Sequence, residues 1–340
     1  MSGDGKRSGP FRAQPPRPSS TLPACLLAIW TTATVPAANP GWPKSLTLVT
    51  ASPGGVYYVY GAELARILTE KLGIPVDSSA TQGSIQNVRL LEIGGAQLGL
   101  ITMSTGQEAW NGTAAWTNGK KFENIRALFP MYDNPFQAVV LQKSGIATLA
   151  QLDKKRIGVG PPSGNGGTYG PVIFKIVGIS PQVIYGSYDD MAAELLDERI
   201  DALLTLLGAP VPAIEHVDAK QPVNFLSLSA EQMEALRRAV PEFSPSKIPA
   251  GTYRLLKTDY TTIAVPNFVI GRADLPDDLV YELVKAVFEN QDRLVKATPA
   301  ARDTVAQNVV KNTFLPFHPG AVRYYRKIGI KIPDALVPTN

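Results

Sequence analysis

One sequence unit occurs twice in this chain: a short apolar strand, a glycine-rich turn and the start of a helix. In the first copy the strand is Leu46–Thr50, the turn is Ser52–Gly55, and helical periodicity begins at Val56. In the second copy the strand is Arg156–Gly160, the turn is Pro161–Thr168, and the predicted helix begins near Tyr169. Short β-branched strands that alternate with helices predict an α/β protein with a mainly parallel sheet. The first amides of a helix have no partner inside the helix, so each unit can bind an anion or a polar group.

Two further junctions of a strand with a helix lie between these copies. The strand Ile74–Ala80 precedes a helix that starts near Ser84, and the strand Leu98–Thr102 precedes a turn that contains Ser104. In open parallel sheets, ligands bind beyond the carboxyl ends of the strands. Ser84 is predicted to cap its helix, and the polar residues of the first turn are predicted to face a ligand. The alternative is that they only cap and solvate the helix start.

The order of the elements predicts two lobes between which the chain passes twice. The first part of lobe I is assigned to residues 45–142, lobe II to 143–260, and the return to lobe I with the C-terminal helices to 261–335. Near the end of the first segment, Ile125–Tyr132 and Phe136–Gln142 are predicted as two separate strands, because Asp-Asn-Pro between them is typical of a turn.

Residues 1–37 have the parts of a secretory signal peptide. A basic region rich in proline and glycine precedes the short apolar stretch Leu22–Trp30, and Val35–Ala37 supplies small residues for cleavage. Of the formal net charge of +4, these residues carry +3, so the remaining chain has no basic excess that indicates nucleic acid as a partner. No later stretch has the roughly 18 apolar residues that a membrane span needs. An exported, periplasmic protein is expected.

The residues that usually carry catalysis or metal binding are scarce. Cys25 is the only cysteine and lies in the predicted signal peptide, and the only histidines, His216 and His318, are expected at the surface. The chain has no Gly-x-Ser-x-Gly motif and no metal-ligand spacing. We therefore expect no enzyme activity, no cofactor and no metal, with a hydrolase as the less favoured alternative.

Several segments together resemble the TAXI-type substrate-binding proteins of tripartite ATP-independent periplasmic (TRAP) transporters, over nearly all of residues 45–330. The order and the spacing of the segments carry this resemblance rather than any one of them. They are Gly54–Tyr58, Gly83–Asn87, Arg156–Gly160, Gly208–Ile214, Ile248–Tyr253, Asp274–Tyr281 and His318–Tyr325.

The resemblance implies a periplasmic-binding-protein fold of type II, in which hinge strands join two α/β lobes and the ligand lies in the cleft between them. It also implies a small carboxylate ligand, similar to glutamate, glutamine or 2-oxoglutarate, and delivery to a sodium-coupled TRAP permease. The chain differs from the family at the second turn. The family has Gly-Ser-Gly-Thr-Glu there, whereas this chain has Ser163–Gly167. A monomer is expected.

The expected mechanism is closure of the hinge around the ligand. The carboxylate would bind to amides and hydroxyls of lobe I, and the second glycine turn and Gly208 would then close over it. A periplasmic sensor that signals to a partner protein could use the same movement and is the main alternative. The predicted ligand-binding residues are Gly54, Gly55, Val56, Tyr57, Ser84, Gln86, Asn87, Ser104, Ser163, Gly164, Asn165, Gly166, Gly167, Thr168, Gly208 and Pro210.

Overall fold

The computed structural model describes residues 39–338, so the predicted signal peptide lies outside the described residues. Ten strands form one sheet: β1 (Leu46–Val49), β2 (Val76–Ser79), β3 (Leu98–Thr102), β4 (Ile125–Leu141), β5 (Arg156–Gly158), β6 (Gln182–Ile184), β7 (Ala202–Leu206), β8 (Val223–Phe225), β9 (Ser244–Ile248) and β10 (Tyr260–Arg272).

The α-helices of the described region are α1 (Val56–Leu72), α2 (Ser84–Glu92), α3 (Met103–Asn111), α4 (Asn165–Val177), α5 (Tyr188–Leu196), α6 (Pro212–Lys220), α7 (Ala230–Ala239), α8 (Asp277–Glu289), α9 (Gln291–Ala297) and α10 (Pro319–Lys327). Short 3₁₀ helices cover Ala115–Thr117, Gln142–Ser144, Leu149–Leu152, Pro299–Asp303, Ala306–Lys311 and Asp334–Leu336. Among the described residues, no helix is both long enough and apolar enough to cross a membrane.

Two long strands connect the lobes. Strands β2, β1 and β3 pair in parallel in lobe I, and strands β7, β5 and β6 pair in parallel in lobe II. Between these groups lie β10 and β4, which pair with each other in antiparallel orientation. This arrangement confirms the predicted fold class: two α/β lobes joined by hinge strands.

The prediction of two separate strands near residue 134 is wrong, because β4 is one strand of 17 residues. Its pairing with β10 extends to Pro135, and its pairing with β7 begins at Phe136. Proline has no N–H to donate to a ladder and is usually excluded from a central strand. Here it lies where β4 passes from one partner to the next, so the strand continues through it.

Two clusters of buried apolar side chains stabilise the molecule. The smaller cluster belongs to lobe II and contains Phe136, Ile157 and Leu204. The larger cluster is built on lobe I but extends to Tyr188 and Met191 of α5. Since each fully buried large apolar side chain contributes about 1.5–3 kcal/mol, the shared cluster stabilises the lobes in contact with each other.

The two histidines differ in position. His216 is exposed, as predicted, whereas the surface prediction for His318 is wrong, because its side chain is 0% exposed. His318 is the N-cap of α10, and its Nδ1 accepts a hydrogen bond from the Gly320 amide at 3.2 Å. Burial lowers the pKa of this imidazole, although Asp277 opposes the effect, so His318 is neutral in the folded protein.

Three elements of lobe II are not among the sequence-based predictions: β8, β9 and α7. The strands are short and have few buried side chains, so their alternation is weak. Helix α7 does have a signal, since Ser229 and Gln232 form a capping box at its start.

Candidate functional site

The two glycine turns meet across a small cavity between the lobes, which we call the cleft cavity. Its volume is about 20 Å³, which is room for about one water molecule, so the lobes are in a closed arrangement. The lining residues from lobe I are Ala51, Ser52, Tyr57, Gln82, Gly83 and Ser84, and those from lobe II are Pro161, Gly164, Asn165, Tyr188 and Leu207.

In lobe I, Asn87 holds the strand ends together rather than facing the cavity. Its Nδ2 donates to the carbonyl oxygens of Thr50 and Leu100, both at 2.7 Å, and its Oδ1 accepts from the Thr81 hydroxyl at 2.7 Å. Both donors are therefore used inside the protein, and the side chain is 0% exposed. Gln86 is also engaged, because its Oε1 accepts from the Gln82 amide at 2.8 Å.

Helix α2 begins differently from the prediction. Gly83 is its N-cap, with a φ of +117° that favours glycine, and the proposed cap by Ser84 is wrong. Instead, the Ser84 hydroxyl accepts from the Thr102 amide at 3.0 Å and thereby joins α2 to the start of α3. A Cβ atom at position 83 would lie 3.2 Å from Gly164 Cα, so the starts of α2 and α4 are in direct contact.

In lobe II, Asn165 links the second glycine turn to both lobes. Its Nδ2 donates to the Leu206 carbonyl at 2.9 Å, and its Oδ1 accepts from the Thr102 hydroxyl of lobe I at 3.4 Å. A second bond between the lobes joins the hydroxyls of Ser104 and Tyr169. These contacts hold the lobes together beside the cleft cavity.

Of the predicted ligand-binding residues, Tyr57, Ser84, Gly164 and Asn165 line the cleft cavity. The others lie around it or elsewhere. Gly54 and Gly55 pack against the start of α5, Ser104 bonds to Tyr169, Gly208 packs against the Tyr132 ring, and Pro210 lines a different cavity. The members of the set that do not line the cleft cavity are Gly54, Gly55, Val56, Gln86, Asn87, Ser104, Ser163, Gly166, Gly167, Thr168, Gly208 and Pro210.

Two cavity residues that sequence reasoning missed have polar atoms without a partner. The hydroxyls of Ser52 and Tyr188 are buried and accept or donate no hydrogen bond in the described region, with the residues 7% and 2% exposed. Buried hydroxyls normally have a partner, so an unpaired one in a cavity wall is available to a ligand. Ser52 could have been found in the first turn, but Tyr188 has no signal in the sequence.

Tyr57 lies on the floor of the cleft cavity and is tied to the hinge strands. Its hydroxyl donates to Asn267 Oδ1 on β10 at 2.6 Å, and Asn134 Nδ2 on β4 donates to the same oxygen at 2.9 Å. Burial raises the pKa of the Tyr57 phenol, so the hydroxyl is neutral. Neither asparagine has a sequence signal for this role.

The helices at the cleft share a property that the other helices lack. Helices α1, α2, α3 and α4 have no side-chain cap and no acidic residue in the first turn. Every other described helix has a capping side chain or an acidic residue there. No charged side chain lines the cleft cavity. Each helix start carries a partial charge of about +0.5. At α1 the Asp189 carboxylate of α5 lies beside Gly54, just before the N-cap, whereas the charge at the starts of α2, α3 and α4 is uncompensated by their own sequences.

The arrangement offers hydrogen bonds and partial positive charge but no catalytic group. Among residues 39–338, no cluster of histidine, cysteine, aspartate and glutamate side chains is suited to a metal ion. The tyrosine hydroxyls are neutral, and the cavity has no general base or activated nucleophile.

Solved structures with a similar fold include PhnD1 from Prochlorococcus marinus in complex with methylphosphonate, at 12% identity and a TM-score of 0.52, covering 84% of this chain and 99% of that chain. A structure described as a periplasmic transporter matches at 14% identity and a TM-score of 0.51, covering 86% of this chain and 94% of that chain. These similarities establish the periplasmic-binding-protein fold.

A family model covers most of the described region. The NMT1-like family matches residues 48–329, from β1 to the residues after α10. This range contains both glycine turns, both hinge strands and all residues that line the cleft cavity. The chain belongs to the NMT1-like family.

Proposed function

We propose that this protein is an extracytoplasmic solute-binding protein that captures a small carboxylate between its lobes and presents it to a membrane permease. The observation that carries the proposal is the convergence at the cleft of three helix starts, α2, α3 and α4, that have no capping side chain and no acidic residue in the first turn. Helix starts bind anions through free amides and through the macrodipole.

The contact between the starts of α2 and α4 gives the anion a role in closure. These helices belong to different lobes, and their N-cap residues, Gly83 and Gly164, touch in the closed arrangement. Partial charges of the same sign are thus brought together. A carboxylate between them, with the lobes further apart than in this arrangement, reverses the repulsion and shifts the equilibrium away from the open state.

The neutral groups of the cavity favour one type of carboxylate. Ser52 and Tyr188 offer unpaired hydroxyls, while the lining contains no carboxylate that could receive an ammonium group. Among the ligands implied by the resemblance, an oxo-acid similar to 2-oxoglutarate fits this lining better than glutamate or glutamine, because an amino acid would leave its charged ammonium unpaired.

The likeness to TAXI-type proteins supports a sodium-coupled TRAP permease as the partner and a periplasmic location after removal of residues 1–37. We also propose that lobe II extends from residue 143 to 260, since β4 ends at Leu141 and β10 begins at Tyr260.

The charge of the helix starts can be tested with one isosteric change. Gln86 lies in the first turn of α2, and Gln86→Glu keeps the acceptor for the Gln82 amide while it adds a negative charge. We expect the dissociation constant for 2-oxoglutarate, measured by calorimetry, to rise about two- to fivefold, since such a charge is worth about 0.3–1 kcal/mol.

The matched control is Gln232→Glu, which makes the same change in the capping box of α7, away from the cleft. We expect no change in affinity for this variant. The proposal fails if Gln86→Glu binds as tightly as the unmodified protein, or if uncharged analogues of the same size raise the melting temperature as much as the carboxylates do.

A further inference from the structure

The hinge strands fix the direction in which the Tyr57 hydroxyl donates its proton. Asn267 Nδ2 on β10 donates to the backbone carbonyl oxygen of Tyr132 at 2.6 Å. A carbonyl oxygen can only accept a hydrogen bond, so the side-chain atom at this position must be the nitrogen of Asn267. Its other terminal atom, Oδ1, is therefore an acceptor only. Tyr57 lies 2.6 Å from this oxygen and must give it its single hydroxyl proton.

Asn134 on β4 supports the same orientation of the Asn267 amide. Its Nδ2 donates to Asn267 Oδ1 at 2.9 Å, which again requires an oxygen at that position. Asn134, Asn267 and Tyr57 are 0%, 1% and 3% exposed, so the three side chains exchange few hydrogen bonds with solvent. Asn267 also lies where the register between β10 and β4 shifts, an irregularity that is frequent beside functional sites.

The Tyr57 oxygen keeps lone pairs that the protein does not use. The side chains of Ser84 and Asn134 lie beside this hydroxyl, but neither reaches hydrogen-bond geometry with it. Within residues 39–338 the Tyr57 oxygen accepts no hydrogen bond. Tyr57 and Ser84 both line the cleft cavity. Because buried polar atoms normally have partners, this acceptor is available to a ligand that carries a donor.

Ser84 has the opposite hydrogen-bonding role. Its Oγ accepts from the Thr102 amide at 3.0 Å, and in the described region its own proton has no recipient. Ser84 therefore offers a donor beside the acceptor of Tyr57. Both residues belong to lobe I, as does Thr102, so the pair stays together when the lobes separate to admit a ligand.

We propose that this donor and acceptor make Tyr57 a specificity-determining residue that selects a 2-hydroxycarboxylate. The inference rests on the carboxylate proposed for the cleft and narrows its chemical class. A carboxylate oxygen of the ligand accepts from Ser84, and the hydroxyl on the neighbouring carbon donates to Tyr57. Asn267 acts as a positioning residue, because it holds the Tyr57 proton away from the ligand.

Related acids match this pair less well. A 2-oxo acid places a carbonyl oxygen opposite the Tyr57 oxygen, so two acceptors face each other and the buried one stays without a partner. A 2-amino acid has a donor, but its ammonium charge finds no carboxylate in the lining of the cleft cavity. A 2-hydroxy acid is neutral at this carbon and has the donor.

The test compares 2-oxoglutarate with the two enantiomers of 2-hydroxyglutarate, which differ from it only at the second carbon, by calorimetry. We expect the better enantiomer to bind about tenfold more tightly than 2-oxoglutarate. Tyr57→Phe removes the acceptor and keeps the bond between Asn134 and Asn267. It should weaken binding of that enantiomer about tenfold and leave 2-oxoglutarate unchanged, so that the preference disappears.

Tyr60→Phe is the matched control, since it makes the same change one turn further along α1. Tyr60 is 0% exposed, its hydroxyl lies 3.3 Å from that of Thr304, and it is not among the residues that line the cleft cavity. This variant should keep the preference for the hydroxy acid. The melting temperatures of both variants show whether a change in affinity reflects lost stability.

Two results would overturn this inference alone: 2-oxoglutarate binding as tightly as 2-hydroxyglutarate, or a preference for the hydroxy acid that persists in Tyr57→Phe. Either would leave the proposed carboxylate function in place. If neither acid binds at millimolar concentrations, the inference and the proposed function both fail.

Discussion

The two glycine turns share a sequence pattern, but their glycines meet different constraints. In the first turn, a Cβ atom on Gly54 would lie 2.6 Å from the backbone nitrogen of Asp189, which belongs to the opposite lobe. In the second turn, a Cβ atom on Gly166 would overlap the carbonyl of Val159, in the strand segment just before that turn and in the same lobe. The first turn needs its glycine so that the lobes can meet, and the second needs its glycine so that lobe II can fold.

Because of this difference, substitutions in the two turns should affect two different properties, ligand affinity and stability. A substitution in the first turn should act mainly on closure and therefore on ligand affinity. A substitution in the second turn should act mainly on stability. Tyr188 lies between the two, since Gly55 and Gly160 both pack against its ring.

The largest effect is expected for Gly166→Ala. The added methyl group meets the backbone of Val159 and lies 3.3 Å from the Leu204 carbonyl, and neither backbone can move without a shift of lobe II. We expect the free energy of unfolding to fall by about 3 kcal/mol, as in overpacked cores. Urea denaturation measures this loss. A variant as stable as the unmodified protein would show that the second turn is not a folding constraint.

Gly54→Ala should have the next largest effect, and it should appear in binding. Gly54 has a φ of +80°, so alanine costs about 1 kcal/mol in backbone strain, and its methyl group also meets Asp189. We expect the dissociation constant for 2-oxoglutarate to rise more than tenfold.

Gly178→Ala is the control for Gly54→Ala, because Gly178 has the same φ of +80° and no atom within 4 Å of a Cβ. Its unfolding free energy should fall by about 1 kcal/mol from backbone strain alone, with the affinity unchanged. Equal affinities of the two variants would contradict the assignment of the first turn to closure.

Tyr188→Phe sharpens the comparison at the point where both turns meet. The hydroxyl has no partner in the described region, so its removal should change the free energy of unfolding by less than about 0.5 kcal/mol. If the hydroxyl binds the ligand, affinity should fall about three- to tenfold, which corresponds to one hydrogen bond. Calorimetry and thermal unfolding on the same sample give both values, and unchanged affinity would remove Tyr188 from the site.

The smallest expected effect is that of pH on stability and on ligand affinity, because neither glycine turn contains a side chain that titrates near neutrality. Burial lowers the pKa of His318, so the unfolded chain takes up its proton first as the pH falls below the usual value near 6.5. The stabilisation that comes from the neutral His318 is fully present above pH 6.5. It decreases as the pH falls toward the lower pKa that His318 has in the folded state.

Between pH 7 and 5.5 we expect His318 to account for a loss of at most about 1 kcal/mol in the free energy of unfolding. In His318→Asn, which can still cap α10, the free energy of unfolding should fall by about this much less over the same pH range. The affinity for a fully ionised carboxylate should be constant over this range. A variant with the same pH profile as the unmodified protein would exclude His318 as its cause.

Much of the fold could be predicted because each strand, turn and helix start is encoded locally. Both glycine units, the second strand and the long return strand are found in the structure. The start of α4 was predicted near Tyr169 but lies at Asn165. Glycines are poor helix formers, yet Gly166 and Gly167 lie in the first helical turn of α4. There the lack of a side chain allows close packing on the preceding strand.

The candidate site could be predicted only in part, because it depends on residues distant in the chain. Tyr188 and Asn267 reach the cleft through the packing of α5 and β10, which no local pattern indicates. Ser84 and Asn87, predicted as ligand-binding residues, lie near the cleft, but their hydrogen bonds serve the protein itself. The sequence shows that the first turns of α1 to α4 contain no acidic residue. Only the structure shows that these helix starts lie close together at the cleft.

The position of β10 has a consequence for biogenesis. It is the last strand in the chain, yet it lies between β3 and β4. Until residues 260–272 have been synthesised, β3 presents an open edge that can pair with another chain. Chains that end before residue 260 should therefore aggregate rather than form a smaller binding protein, and a nascent chain needs protection from such pairing until its last strand arrives.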